Sequence, residues 1–346
     1  MIEAKGVAKS YRTRNRGSIS IVHALRGIDL EIPDGGAVSI IGESGCGKTT
    51  LGRILAGMET ASGGEIRIDG VSLASMGRKQ RRLALQRIQL IHQDPYSALN
   101  PTRTVEAILT DPLNLRAKQT GRDQQWVQRR MHELLELVGL DAEYSLPRYP
   151  HQLSGGMRQR VVIARALTVD PEVLVADEAV SMIDVSLRLG ILALLRRLRT
   201  ELGVSVLFVT HDVATARYIG EDSRIYVLYR GTVVEQGLVD EVILRPVHPY
   251  TQSLLSAIPV LRGIEDQAPD LVFPVAPLDE NQSDTGCLFV ARCPFAHTEC
   301  SASLPPLVLV PVDDGVPSSA TPHRHACLFP EAREVIAVAG GAGAVA

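Results

Sequence analysis

The octapeptide Gly42-Glu43-Ser44-Gly45-Cys46-Gly47-Lys48-Thr49 constrains this chain more than any other stretch. Its Gly-x-x-x-x-Gly-Lys-Thr spacing suits a backbone whose N–H groups turn inward around an anion, which glycine permits without steric cost. The apolar run Ala37–Ile41 precedes it, and a helical pattern through Leu51, Ile54 and Leu55 follows. Strand, loop and helix are therefore predicted in that order, with the helix N-terminus adding partial positive charge at the anion. Lys48 is then placed to reach the outer phosphates of a nucleoside triphosphate, and the Thr49 hydroxyl to ligate Mg²⁺. Gly42, Ser44, Gly45, Cys46, Gly47, Lys48, Thr49 and Thr50 form the expected nucleotide-binding stretch. Cys46 reads as a loop filler. The alternative is a reactive thiol activated by the helix N-terminus.

The rest of the chain repeats this alternation. Residues 173–176 and 204–209 are short buried-strand candidates ending in Asp177-Glu178 and Thr210-His211. Strands alternating with helical patterns predict an α/β core with a mainly parallel sheet, which binds ligands beyond the carboxyl ends of its strands. Residues 94–168 turn helical. Val127, Met131, Leu134, Leu135 and Val138 keep a 3.6-residue spacing that Gly139 closes, so a helical subdomain is predicted there. Residues 226–234, interrupted by Arg230-Gly231, read as a hairpin. Composition shifts after Arg245, where Pro246, Pro249, Pro259, Pro269, Pro274 and Pro277 punctuate the chain. The expected division is residues 1–245 for the α/β unit and 246–346 for a small C-terminal extension, ending in a flexible Ala/Gly tail at 337–346.

The 346 residues are 45% hydrophobic but only 4% aromatic, so aliphatic side chains must build the core. Net charge is −3, without the basic surplus of a dedicated nucleic-acid binder. No apolar run approaches the roughly 20 residues of a spanning helix, and residues 1–10 lack the apolar region of a signal peptide. The expectation is a soluble, cytoplasmic chain whose membrane part, if any, is another polypeptide. Four of the five cysteines, Cys287, Cys293, Cys300 and Cys327, crowd into the last fifth of the chain. In a cytosolic protein such a cluster reads as metal binding before disulfides. By count it suits zinc or an iron–sulfur cluster equally, and His297, His323 and His325 keep a mixed zinc site open.

Four further features accompany the loop. Leu153-Ser154-Gly155-Gly156-Met157-Arg158-Gln159-Arg160 lies shortly before Val173-Leu174-Val175-Ala176-Asp177-Glu178, Gln93 follows Leu90-Ile91-His92, and His211 follows the 204–209 run. In order and spacing, residues 1–245 resemble the ABC ATPase family. The resemblance implies an ABC nucleotide-binding domain, with an antiparallel β part and a helical subdomain added to the core. It implies roles as well. Asp177 would hold the Mg²⁺ shell and Glu178 would activate the attacking water. His211 would contact the γ-phosphate side. Gln93 would sense Mg²⁺ and water and report to a membrane partner. Ser154, Gly155 and Gly156 would cradle the phosphates of a second subunit's ATP, with Asp184 crossing the same interface. Tyr11 resembles the aromatic residue that stacks on adenine. The sequence departs from the family pattern at Ala179, where proline is usual, and at Met182-Ile183, where Ala-Leu is commoner. Neither position supplies a charged group, and intact hydrolysis is expected.

His248-Pro249-Tyr250-Thr251, followed by Leu254, Leu255 and Ile258, resembles the extension of ATP-binding subunits of oligopeptide, dipeptide and nickel importers, as does Asp94-Pro95-Tyr96-Ser97-Ala98-Leu99-Asn100-Pro101. Gly286-Cys287-x5-Cys293-Pro294-x5-Cys300, then Cys327, resembles the C-terminal motif of the same subunits. That resemblance favours a 4Fe-4S cluster over zinc or another metal and over unliganded thiols, with a role in holding two ATPase subunits together rather than in electron transfer. It also implies ATP and Mg²⁺ as ligands, a second and usually non-identical ATPase subunit, two permeases and an extracytoplasmic binding protein. The site of action would be the cytoplasmic face of the cell membrane. The alternatives are a soluble ABC ATPase acting on nucleic acid, which usually carries a large insertion or a second fused unit, and an exporter subunit, which the His-Pro-Tyr segment disfavours.

Overall fold

A computed structural model describes residues 1–15, 18–220, 222–256, 285–310 and 322–331. Two long strands, β1 (Ile2–Asn15) and β2 (Ser18–Ile32), pair antiparallel. β3 (Ala37–Ile41) then runs through the glycine loop into α1 (Lys48–Leu55). β4 (Gly63–Ile68) returns to pair with β1, and β5 (Val71–Ser72) pairs with β4. These strands form an antiparallel sheet in the order β2-β1-β4-β5. After α2 (Arg78–Gln86) and β6 (Ile88–Ile91) the chain turns helical through α3 (Pro95–Ala98), α4 (Val105–Thr120), α5 (Gln124–Leu137), α6 (Ala142–Ser145) and α7 (Gly155–Leu167). In α5, the Asp123 carboxylate accepts the Trp126 N–H at the start. Val127, Met131, Leu134 and Leu135 are buried, and Gly139 at φ 74° lets the chain leave.

The chain re-enters the α/β core with β7 (Val173–Asp177), α8 (Val185–Leu202), β8 (Ser205–Val209) and α9 (Val213–Ile219). The hairpin β9 (Arg224–Tyr229) and β10 (Thr232–Leu238) turns through Arg230 and Gly231, both at positive φ as a tight two-residue turn requires. α10 (Val239–Leu244), α11 (Pro249–Ser256) and the two-residue strands β11 (Val308–Leu309) and β12 (Arg324–His325) complete the described chain. The main sheet has the order β11-β12-β10-β9-β3-β8-β7-β6, parallel from β9 to β6 and antiparallel at the other edge.

Its central strands are apolar on both faces because both faces are covered. Leu174, Ala176, Val206 and Phe208 point into a core shared with the helical region. Val173, Val175, Leu207 and Val209, alternating with them, join α1 and the antiparallel sheet in a second core. A third core lies at the β9–β10 edge, where Tyr250 and Leu255 of α11 pack with Leu288 and Phe289 against Val227 and Tyr229. The described residues beyond Arg245 are thus built onto the β9–β10 edge, and β12 pairs with β10 directly. Ile258, the prolines at 259, 269, 274 and 277, and the 337–346 tail lie outside the described residues. Among the described residues, no helix is long and apolar enough to cross a membrane.

Candidate nucleotide site

Four parallel strands end side by side. The register sets Ile91 against Ala176, Asp177 against Val209 and Ile40 against Val209, so the residues that follow each strand share one edge. That edge gathers residues far apart in sequence. The Thr49 hydroxyl donates to Asp177 Oδ1 at 3.0 Å. Gln93 Nε2 donates to Glu178 Oε2 at 2.7 Å, and His211 Nδ1 lies 3.4 Å from Glu178 Oε1. Lys48, 5% exposed, turns back over the loop and donates to the carbonyls of Gly42 (2.7 Å) and Glu43 (3.0 Å).

The loop's shape demands glycine at two positions. Gly42 has φ 152°, and a Cβ there would collide with the Leu228 carbonyl oxygen. Gly47 has φ 108°, and a Cβ there would strike the Ala24 carbonyl oxygen. Cys46 is buried, and burial pushes its thiol up against the opposing pull of Lys48. Burial therefore outweighs the Lys48 charge and the loop N–H groups, the opposite of what activates a thiol.

Burial also pushes the Asp177 carboxyl up. The Glu178 charge acts in the same direction, while the Thr49 hydroxyl, Arg53 and Lys48 oppose it. Two carboxylates and a hydroxyl are hard oxygen donors, and their chemistry fits Mg²⁺. Glu178 itself stands at φ 46°, a costly conformation for a residue with a Cβ. Its N–H donates to the Val209 carbonyl at 2.9 Å, and the Ser181 N–H and hydroxyl donate to its own carbonyl at 3.0 and 2.9 Å. The Glu178 side chain is 15% exposed and that of His211 56%, so the carboxylate is held in place while the imidazole faces outward.

Tyr11 lies on β1 beside α1. Its hydroxyl donates to Glu59 Oε1 at 2.6 Å, and the Lys9 ammonium sits 5.0 Å from its ring centre. Burial and then Glu59 push the phenol up, with the Thr50 side chain opposing. Ser154 caps α7 by accepting the Met157 N–H at 3.3 Å, and Gly156 packs tightly against Leu187. Among the described residues, no hydrogen bond joins 154–156 to the glycine loop of the same chain. Met182, Leu187 and Leu189 are exposed close by in sequence.

The four C-terminal cysteines are unpaired as disulfides and line one small cavity with Phe289 and Phe295. Burial pushes the Cys327 thiol up to about 11, and the other three sulfurs push in the same direction. Among the described residues, no three His, Cys, Asp or Glu side chains are gathered as a single metal ion requires. The nearby histidines have other partners. His297 lies against the Phe329 ring, His323 Nε2 meets Glu235 at 2.7 Å, and His325 Nδ1 accepts the Cys327 N–H.

Two residues of the C-terminal extension also touch the glycine loop: Tyr250, known from sequence only as part of the His-Pro-Tyr segment, and Arg292, which motif reading passes over. The Glu43 N–H donates to the Tyr250 hydroxyl at 2.8 Å, and Arg292 grips the Glu43 carboxylate through both terminal nitrogens, at 2.8 and 2.9 Å. No local sequence signal links residues separated by 249 positions.

Comparison with known proteins agrees with this geometry. Residues 25–181 match the family described as ABC transporter, and residues 234–300 match the oligopeptide/dipeptide transporter C-terminal region. A putative peptide import ATP-binding protein of Brucella ovis is 37% identical over 318 residues, covering 89% of this chain and 93% of that protein. The dipeptide transport ATP-binding protein DppF of Escherichia coli is 38% identical over 292 residues, covering 83% of this chain and 84% of the relative. Among solved structures, the ATP-binding cassette MJ0796, a dimer bound to ADP and Pi, superposes with a TM-score of 0.60 at 31% identity over 69% of this chain and 99% of that one. CbiO1 of Clostridium perfringens, part of an ABC transporter complex, gives 0.58 at 27% identity over 70% of this chain and 89% of that one. With relatives this similar along nearly their whole length, and with the loop, acidic pair, glutamine and histidine meeting at one sheet edge, the chain belongs to the ABC transporter ATP-binding family.

Proposed function

We propose that this chain is an ATP-hydrolysing subunit that powers a peptide-type ABC importer. The observation that carries the reading is the convergence of Lys48, Thr49, Gln93, Asp177, Glu178 and His211 at one edge, in a chain whose relatives bear peptide and dipeptide import names. The same relatives do not favour an ATPase acting on nucleic acid.

Phosphoryl transfer asks the protein for position and charge rather than covalent chemistry. The loop N–H groups and Lys48 bind the phosphates. Thr49 and Asp177 would hold Mg²⁺, which would supply neutralising charge at the phosphate oxygens. Glu178 orients and deprotonates the attacking water, with Gln93 and His211 fixing its carboxylate from two sides. Tyr11 lies against the adenine. Ser154, Gly155 and Gly156 meet the ATP of a second subunit. This dimeric arrangement draws support from the dimeric relative bound to ADP and Pi and from the absence of a bond between 154–156 and the chain's own loop. Two permeases within the membrane and an extracytoplasmic binding protein complete the assembly, with this chain at the cytoplasmic face of the membrane. Residues 1–245 form the ATPase unit, with residues 94–168 as its helical subdomain.

The extension at 246–346 carries the four cysteines, which we assign to a 4Fe-4S cluster of structural role. The donor set and the shared cavity support this. Among the described residues the side chains are not gathered around a metal ion of either kind, so the choice of a cluster over zinc rests on the resemblance of the cysteine spacing. Protein purified without oxygen should contain iron and absorb in the visible, and Cys300→Ser should lose both. Iron-free, colourless protein under those conditions refutes the cluster.

The function itself is tested by purifying the tagged chain from detergent extract. Permease subunits should accompany it, and the reconstituted assembly should hydrolyse ATP several-fold faster when binding protein and peptide are supplied together. Recovery without any permease, with peptide leaving the rate unchanged, overturns the importer assignment.

A further inference from the structure

Glu43 is the second residue of the phosphate-binding loop and carries a negative charge at a place built to receive a polyanion. The structure shows what offsets it. Arg292, from the turn between Cys287 and Cys293, makes a two-pronged bond to the Glu43 carboxylate. Its own side chain is only 8% exposed. The guanidinium lies 5.7 Å from the ring centres of both Tyr229 and Phe289, and those rings pack against Tyr250. Tyr250 in turn accepts the Glu43 N–H. The extension thus holds Glu43 by backbone and side chain together, while the Glu43 carbonyl accepts Lys48.

We infer that Arg292 is a positioning residue for ATP binding: it neutralises Glu43 and, with Tyr250, sets the shape of the phosphate loop from the C-terminal extension. The inference rests on the ATP-binding reading above. A two-pronged arginine–carboxylate bond is directional as well as strong, so it fixes where the carboxylate points. Without Arg292, a partly buried carboxylate stands uncompensated beside the incoming phosphates, and the loop loses a lateral support. The cysteine-bearing turn then belongs mechanically to the nucleotide site, since residues 287–293 carry the arginine.

The test is titration of the full chain with ATP and Mg²⁺ by calorimetry, alongside steady-state hydrolysis and thermal melting. Arg292→Ala should raise the Kd for ATP and the KM about tenfold while kcat changes less than about threefold. Adding Glu43→Gln to Arg292→Ala should recover most of the lost affinity, because the unpaired charge is removed. Arg292→Lys, which keeps the charge but not the fork, should fall between the two. A purely structural role for Arg292 predicts that the double variant binds no better than Arg292→Ala. That result overturns the proposal, as does wild-type affinity in Arg292→Ala. Should Arg292→Ala melt too early to titrate, the comparison of Arg292→Gln, which keeps bulk but not charge, with Arg292→Gln/Glu43→Gln decides on the same criterion. If the wild-type chain bound no ATP at all, the functional assignment itself would fail, which is a separate outcome.

Discussion

Glu178→Gln leaves ATP bound and stops its hydrolysis. The substitution preserves shape, so the amide oxygen can still accept from Gln93 Nε2, which meets Glu178 Oε2 at 2.7 Å. What it removes is the group able to take a proton from water. Loss of a positioned general base costs about 10²- to 10⁴-fold in rate, and turnover should fall by that factor while the Kd for ATP moves little. On the proposed reading, in which hydrolysis releases a sandwiched pair of subunits, the variant should accumulate as an ATP-bound dimer. Phosphate release and size-exclusion chromatography with and without ATP check both points. Turnover within about fivefold of wild type would move the role of base to another residue. The strained φ of 46° at Glu178 sharpens the expectation. The backbone is held by the Val209 carbonyl and by Ser181 rather than by the carboxylate, so the substitution should not collapse the turn.

Lys48→Ala acts on binding instead. Lys48 is nearly buried, and its ammonium sits on the loop carbonyls of Gly42 and Glu43. Alanine deletes the one cation rising from within the loop. Hydrogen bonds to charged groups contribute about 1.5–3 kcal/mol each, so affinity for ATP should fall by a factor of about ten to more than a hundred. Calorimetric titration reads this directly, and hydrolysis at saturating ATP separates it from a catalytic defect. Retained affinity with lost turnover would show that the loop N–H groups suffice for binding. The two variants are therefore distinguishable by one pair of measurements: Glu178→Gln loses rate and keeps affinity, and Lys48→Ala loses affinity first.

The C-terminal extension changes how the site is understood. Read as sequence, residues beyond Arg245 form an appendage marked by prolines and cysteines. In the fold, β12 continues the main sheet, α11 shares a core with β9, and Tyr250 and Arg292 reach the glycine loop. Arg292, which lies between Cys287 and Cys293 in sequence, therefore links the cysteine-bearing turn to Glu43 of the glycine loop.

Much of the site was legible in advance because local rules encode it. The strand Ala37–Ile41 is a continuous apolar run since both its faces are covered, and the glycines after it are required by positive φ and close backbone approach. Val127, Met131, Leu134 and Leu135 announced α5 by their spacing. Gln93, Asp177, Glu178 and His211 were found together through the resemblance of their order and spacing to the ABC ATPase family, and the fold gives the reason: Asp177 ends a strand, the others follow one, and parallel strands deliver their C-terminal residues to one edge. The long β1–β2 hairpin was hidden, since its alternation is broken by register shifts and its partners are chosen by pairing across the sheet.

What the sequence by itself determined is the inventory of chemistry: a phosphate-binding loop, an acidic pair, a glutamine, a histidine and four thiols, each carried by a pattern a few residues long. Tertiary structure alone decided which of these meet. It set Thr49 on Asp177 and Gln93 on Glu178, put Glu178 at positive φ, paired His323 with Glu235, His325 with the Cys327 N–H and His297 with the Phe329 ring, and brought Arg292 to Glu43 across 249 residues. The physical reason is range. Propensity, glycine sterics and capping act over a turn or a strand, whereas desolvation, ion pairing and the register of a sheet depend on which distant segments the two-faced core packs together.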